Sequence, residues 1–170
     1  MMKKLLFSIL FSAVSIWSYS QTINFSDYQF KARLLTSSPN NTVAKNLSGN
    51  YFKIDANNDG NIQVNEAQQV SELDLSTLDG NYITNIDGIL NFTNLVKLSL
   101  VYERVISIDV HGLSKLKHLR YYPLFEISGS SLNIQGTNLE SLEIPGFKLS
   151  SLNIADCPNL KVFNFSGNCK

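Results

Sequence analysis

The chain has 170 residues, with 14 Lys plus Arg against 14 Asp plus Glu and a formal net charge of zero. That length allows one domain with a continuous core, and the charge balance argues against a nucleic-acid binder, which needs a basic excess. Only 16% of the residues are charged, so the polar surface must be largely uncharged Asn and Ser.

Residues 1–20 read as a secretory signal peptide. Lys3 and Lys4 form the positive n-region, Leu5 to Trp17 the apolar h-region, and Ser18-Tyr19-Ser20 places small residues where a signal peptidase reads. Cleavage is expected before Gln21. The apolar run is too short to span a bilayer and no second one follows, so no transmembrane segment is expected after cleavage. Loss of Lys3 and Lys4 leaves 12 basic and 14 acidic side chains, a net charge of −2. The product is expected to be secreted or held at the cell surface.

Residues 22–36 are predicted to form a short amphipathic helix, capped by Asn24 or Ser26. Phe25, Phe30 and Leu34 fall near helical spacing, flanked by Tyr28 and Leu35. Pro39 and the Asn/Ser/Gly-rich stretch Ser37–Asn50 then form a loop. The apolar Tyr51-Phe52-Lys53-Ile54 leads into an acidic run.

That run, Asp55-Ala56-Asn57-Asn58-Asp59-Gly60-Asn61-Ile62-Gln63-Val64-Asn65-Glu66, fits the EF-hand pattern D-x-[DN]-x-[DN]-G-x5-E at every defined position. Ca²⁺ is a hard cation that takes six to eight oxygens. Asp55, Asn57 and Asp59 would supply side-chain oxygens, and Asn61 its backbone carbonyl. Gln63 would act directly or through water, and Glu66 would close the shell. Gly60 permits the sharp turn, Ile62 points away as an apolar anchor, and Glu66 onward starts a short exiting helix. A metal-free Asn/Asp turn would have no reason to combine Gly, an aliphatic and Glu at those positions. With three carboxylates and no second loop, affinity is expected on the order of 10⁻⁴–10⁻³ M, suited to a structural ion outside the cell. Such an ion would pin the 37–54 loop and the first repeat together and contribute to folding.

From Val70 the motif L-x-x-L-x-L recurs, with conservative substitutions, at Val70, Leu95, Leu116, Leu139 and Leu160. That spacing lies in the 20–29-residue period of leucine-rich repeats. Weaker half-period copies sit at Ile83-x-x-Ile86, Val105-x-x-Ile108-x-Val110, Leu132-x-Ile134 and Leu149-x-x-Leu152-x-Ile154. The expectation is a flattened coil with one extended segment on each side and alternate side chains inward. The ninth repeat position, normally Asn or Cys, holds Asn168 and Cys157 in two copies, but Leu78, Glu103, Leu124 and Phe147 in the others. The turns are therefore irregular. The predicted fold is α+β: an N-terminal helix and EF-hand-like loop (21–70, capping the coil) followed by an irregular leucine-rich-repeat solenoid of short parallel strands (71–170).

Export also permits a disulfide. Cys157 and Cys169, the only cysteines, could close a small loop, or Cys157 could serve as the small buried residue of its repeat. The chain stops at Lys170 just after the last strand-like segment, with no polar cap following. Either a naturally short chain or a truncated product is expected.

The order of these parts resembles the secreted leucine-rich-repeat surface proteins of Bacteroidetes-type bacteria. The residues that carry the likeness are F-S-D-x-x-F-K-x-x-L-L (Phe25 to Leu35) and K-I-D-x-N-x-D-G-x-I-Q-V-x-E-A (Lys53 to Ala67), then the repeats. The resemblance implies repeats used for protein interaction or adhesion. It also implies a calcium site on Asp55, Asn57, Asp59, Asn61, Gln63 and Glu66. Many such proteins end in a sorting domain, for which this chain has no counterpart.

The leading expectation is a calcium-stabilised module that binds a protein or glycan, with Lys97, Ser99, His118, Arg120, Ser141 and Glu143 as candidate contacts. An enzyme acting on extracellular polymers is disfavoured. His111 and His118 lack an evident nucleophile or metal-ligand partner, and no catalytic motif appears. A non-binding structural fragment is the third reading.

Overall fold

The computed structural model describes residues 20–167. The export segment, Asn168 and Cys169, and with them the disulfide question, lie outside the described residues. Among the described residues no helix is long and apolar enough to cross a membrane.

The chain forms a β-solenoid of parallel strands with few helices. Helix α1 (Tyr28–Leu35) is followed by β1 (Ala44–Asn46), the single turn α2 (Val64–Ala67) and β2 (Val70–Asp74). Strands β3 (Lys97–Glu103), β4 (Ser107–Asp109), β5 (His118–Pro123) and β6 (Ile127–Asn133) come next. Strands β7 (Ser141–Glu143), β8 (Phe147–Asn153) and β9 (Val162–Asn164) complete the coil. One sheet has the order β1-β2-β3-β5-β7-β9, parallel except for β1, which pairs antiparallel with β2. The other, β4-β6-β8, is parallel throughout.

The L-x-L alternation explains this arrangement. Successive strand residues point to opposite faces, so one register places whole columns of leucines inward. Leu73, Leu98, Leu119 and Leu142 stack in one column and Ile108 and Leu132 in another, all buried. Polar residues then close the turns. Asn94, Lys115, Asn138 and Asn159 each precede a leading leucine. The side-chain amide of Asn94 donates to Gln68 O, that of Asn138 to Ser114 O, and that of Asn159 to Asn138 Oδ1, tying each coil to the one before. Asp74, Asp109, Asn133, Asn153 and Asn164, at strand ends, each accept from the amide two residues on. Such Asx turns end strands with a short side-chain acceptor, Asp or Asn.

Helix α1 starts later than the expected boundary. Asp27, rather than Asn24 or Ser26, is its N-cap and accepts from Phe30 N at 2.9 Å. Residues 22 and 23 are extended, because Thr22 bridges Gln63 and Ile23 N donates to Ile62 O. Phe30 and Leu34 are fully buried against the first coil. The Ile83–Ile86 half-period copy forms no strand. Its backbone is held instead by side chains: Glu103 Oε2 accepts from Ile83 N, and Asp27 Oδ2 accepts from Thr84 N and Asn85 N. Cys157 is half-buried, with Sγ donating to Ile134 O at 3.0 Å.

Candidate functional site

Two regions gather chemistry. The first is the loop 55–66. Its turn depends on Asn58 (φ 62°) and Gly60 (φ 75°), both in the left-handed region. A Cβ at Gly60 would meet nothing within 4 Å, so the glycine serves backbone conformation rather than space.

Five backbone amides of the loop donate to its own side chains. Asp59 N donates to Asp55 Oδ1 (3.2 Å) and Asn57 Oδ1 (3.0 Å), and Gly60 N to Asp55 Oδ2 (3.3 Å). Asn61 N donates to Asp59 Oδ1 (2.8 Å), Ala56 N to Glu66 Oε1 (2.8 Å) and Gln63 N to Glu66 Oε2 (3.0 Å). Asp55, Gln63 and Glu66 are buried, and Ile62 is an apolar anchor in the core. The Asn61 amide holds the Asp59 carboxyl below its ordinary value, with help from the side chains of Asn57 and Gln63, so it is ionised at neutral pH.

The side-chain amides of Asn57 and Gln63 both turn their NH₂ groups to Asp59 Oδ2, at 3.0 and 2.7 Å. Among the described residues no three His, Cys, Asp or Glu side chains form a group able to hold a metal ion. Asp55 and Asp59 are tied together directly, while Glu66 reaches the loop through Ala56 and Gln63. Asn61 directs its side-chain oxygen outward to Lys31 Nζ (2.9 Å), which leaves its backbone carbonyl as the oxygen a cation would use. The donor set is all oxygen, the chemistry Ca²⁺ requires. Rotation of the Asn57 and Gln63 amides would exchange NH₂ for oxygen, since the two ends are nearly isosteric.

The second region is the outward face of the six-stranded sheet. A groove of about 670 Å³ is lined there by Thr42, Lys45, Tyr51, Glu72, Asp74, Lys97, Ser99, His118, Arg120, Ser141 and Glu143, with Leu73 and Leu98 in its floor. All six contact residues expected from the sequence are in it. Parallel register sets them in two rows: Glu72, Lys97, His118, Ser141 and Val162 in one, Asp74, Ser99, Arg120, Glu143 and Asn164 in the other. Lys45 pairs with Glu72 (3.1 Å) and lies over the Tyr51 ring. Arg120 lies over the Tyr122 ring, whose hydroxyl donates to Glu143 Oε2 at 2.7 Å. His111 is elsewhere, on the turn after β4, with Nδ1 2.7 Å from Asp109 Oδ1.

Three participants escape the repeat pattern. Thr42, Lys45 and Tyr51 enter the groove only because β1 folds back antiparallel onto β2, a pairing that no periodicity announces. No protein-family model matches the chain, and no curated protein is significantly similar to it.

Proposed function

We propose that this chain is an exported calcium-binding leucine-rich-repeat protein of the surface type, in which Ca²⁺ is structural and the outward sheet face binds an extracellular glycan or protein. The 55–66 loop is an EF-hand-like site in which Asp55, Asn57, Asp59, Asn61, Gln63 and Glu66 hold the ion. The observation that carries this reading is the set of loop amides turned onto the carboxylates of Asp55, Asp59 and Glu66. Each carboxylate is oriented by loop backbone amides and keeps lone pairs for a cation. Of the two partner classes, the groove favours a glycan. Protein interfaces centre on apolar and aromatic anchors and are poor in charge. This groove alternates acids, bases and small hydroxyl residues, with Tyr51 at one side as a stacking surface, which suits a polyhydroxylated chain.

Calorimetric titration of residues 21–170 is expected to show one calcium site with a dissociation constant on the order of 10⁻⁴–10⁻³ M. At about 10 mM Ca²⁺ the ion should add about 1.4–2.7 kcal/mol of stability, raising the melting temperature by about 3–10 °C. Glu66→Gln should abolish both effects. An unchanged melt together with no heat would leave the loop as an Asn-rich turn.

For the groove, Arg120→Ala in calcium-loaded protein should weaken binding to a hit from an extracellular polysaccharide panel by about tenfold or more. His111→Ala, on the turn after β4 and outside the groove, should leave that binding unchanged. Equal loss in both variants would move the binding site off this face.

A further inference from the structure

Strand β3 changes phase near its end. Leu98 and Leu100 are buried, and so are Glu103 and Val105, so the inward positions pass from even to odd numbers. The change is made at Tyr102, whose φ of 67° is rare for a bulky residue and accompanies the register shift against β5. In consequence Arg104 and Ile106, between β3 and β4, face outward. On the next coil Phe125 lies between β5 and β6, and Ile127 opens β6. These four residues line a notch of about 380 Å³ on the rim that joins the two sheets. None of them lines the groove. The notch lies on inner coils. The 77–88 segment flanks it on one side, where Ile83 O accepts from Arg104 N, and β8 on the other, where Lys148 pairs with Glu126.

The Arg104 guanidinium lies over the Tyr82 ring at 4.5 Å and over the Phe125 ring at 5.4 Å, one ring from the coil before and one from the coil after. A stacked guanidinium keeps its N–H groups in its own plane, free at the edge. Among the described residues the carboxylates engage Arg33, Lys45, Lys117, Arg120 and Lys148, and none engages Arg104. Beside this cation, Ile106 and Phe125 are 54% and 62% exposed and share one apolar surface rather than lying scattered.

We propose that the notch binds a small monocarboxylate with an apolar body, of the alkyl carboxylate type. Its carboxylate takes two parallel N–H···O bonds from Arg104, and its chain lies on Ile106, Phe125 and Ile127, out of water. An exposed ion pair alone contributes little, so charge and chain are needed together. The backbone around the notch is already used: Ile106 O accepts from Ser131 N, Ile127 O from Ser130 Oγ, and Leu124 N donates to Glu103 O. A peptide's own amides would find no backbone partner there, whereas an alkyl carboxylate carries none. This site depends neither on calcium nor on the groove's ligand.

Calorimetric titration of the protein with octanoate should saturate at one site. Acetate, which keeps the carboxylate without the chain, and octanol, which keeps the chain without the charge, should each bind about tenfold more weakly or worse. Arg104→Gln should weaken octanoate about tenfold or more and leave octanol as it was. Circular dichroism unchanged in that variant keeps the test independent of folding. Ile106→Asn should weaken octanoate as well. No saturation by octanoate would overturn the proposal, as would octanol binding equally well, or octanoate binding that persists unweakened in the folded Arg104→Gln variant. Loss of octanoate binding in the groove variant Arg120→Ala would overturn it too.

Discussion

Stability should fall as pH rises from 4.5 to about 7, and Glu103→Gln should remove that slope. Glu103 is fully buried at the end of β3, just after Tyr102, whose φ of 67° accompanies a register shift against β5. Its Oε2 accepts from Ile83 N at 2.5 Å, while among the described residues Oε1 has no hydrogen-bond partner. Burial pushes this carboxyl from an ordinary 4.5 up to about 7. The Ile83 amide and Arg33 on α1 pull the other way, Asp79 and Asp27 add to the rise, and the buried Tyr121 phenol faces it from β5. Between those two values the folded chain keeps a proton that the unfolded chain has released. The stabilisation is therefore complete below the unfolded value, falls as pH climbs toward the folded one, and is flat above it. At about 1.4 kcal/mol per unit the loss is about 3 kcal/mol at most. Glu103→Gln keeps the acceptor for Ile83 N and cannot ionise, but its NH₂ needs a partner, a cost of about 1 kcal/mol. The variant should thus be weaker than the parent at acid pH and stronger at alkaline pH. Urea melts across the range decide it: a flat parent, or a variant with the parent's slope, would sink the argument.

Glu103 also shows where sequence reasoning stops. Counting along the repeat puts it at the ninth position, where it departs from Asn. The structure gives it the task that Asn performs there, accepting a backbone N–H inside the turn, with a carboxylate in place of an amide. The consensus captures the residue type and misses the physical role. The inward columns were legible because burial leaves a period of two within each strand and a repeat of 21–25 residues between strands. The outward rows that line the groove were legible for the same reason, as the residues between the leucines. The 77–88 segment was not, because side chains far away in sequence hold it. Ile83 and Ile86 copy the spacing of a strand, but the donors of residues 83–85 are taken by Glu103 and Asp27, which leaves no ladder to join. The 55–66 loop was legible as a pattern of oxygens, and its backbone amides answer to those oxygens. How the side-chain amides orient was not legible, because Asn and Gln offer a donor and an acceptor on the same carbon.

Asp27→Ala should produce a large calcium-independent loss, about 3–4 kcal/mol in urea melts. One carboxylate does two tasks. Oδ1 caps α1 through Phe30 N. Oδ2 accepts from Thr84 N and Thr84 Oγ1 at 2.7 Å and from Asn85 N at 3.1 Å. A cap alone contributes about 1 kcal/mol, so a loss no larger than that would mean the link to 84–85 adds nothing. Asp27→Asn can serve only one side as acceptor and turns NH₂ toward donors on the other, so it should cost about half as much as alanine. Thr84→Ala, which removes one of the four bonds, should cost about 1 kcal/mol. The pH sign is opposite to that of Glu103. Burial pushes the Asp27 carboxyl up, but the donors from Thr84, Phe30 and Asn85 outweigh it and hold the group below its ordinary 3.8. Its stabilisation is present above the unfolded value and is lost as pH falls through the folded one. Asp59, Asp79 and Glu140 are also held low, so the readout is the difference between parent and Asp27→Asn on the acid limb. The 77–88 segment is thus gripped from α1 by a carboxylate that must be charged and from β3 by one that is best neutral. Both contributions are complete together only between the two unfolded values, 3.8 and 4.5, where these two groups place the stability maximum.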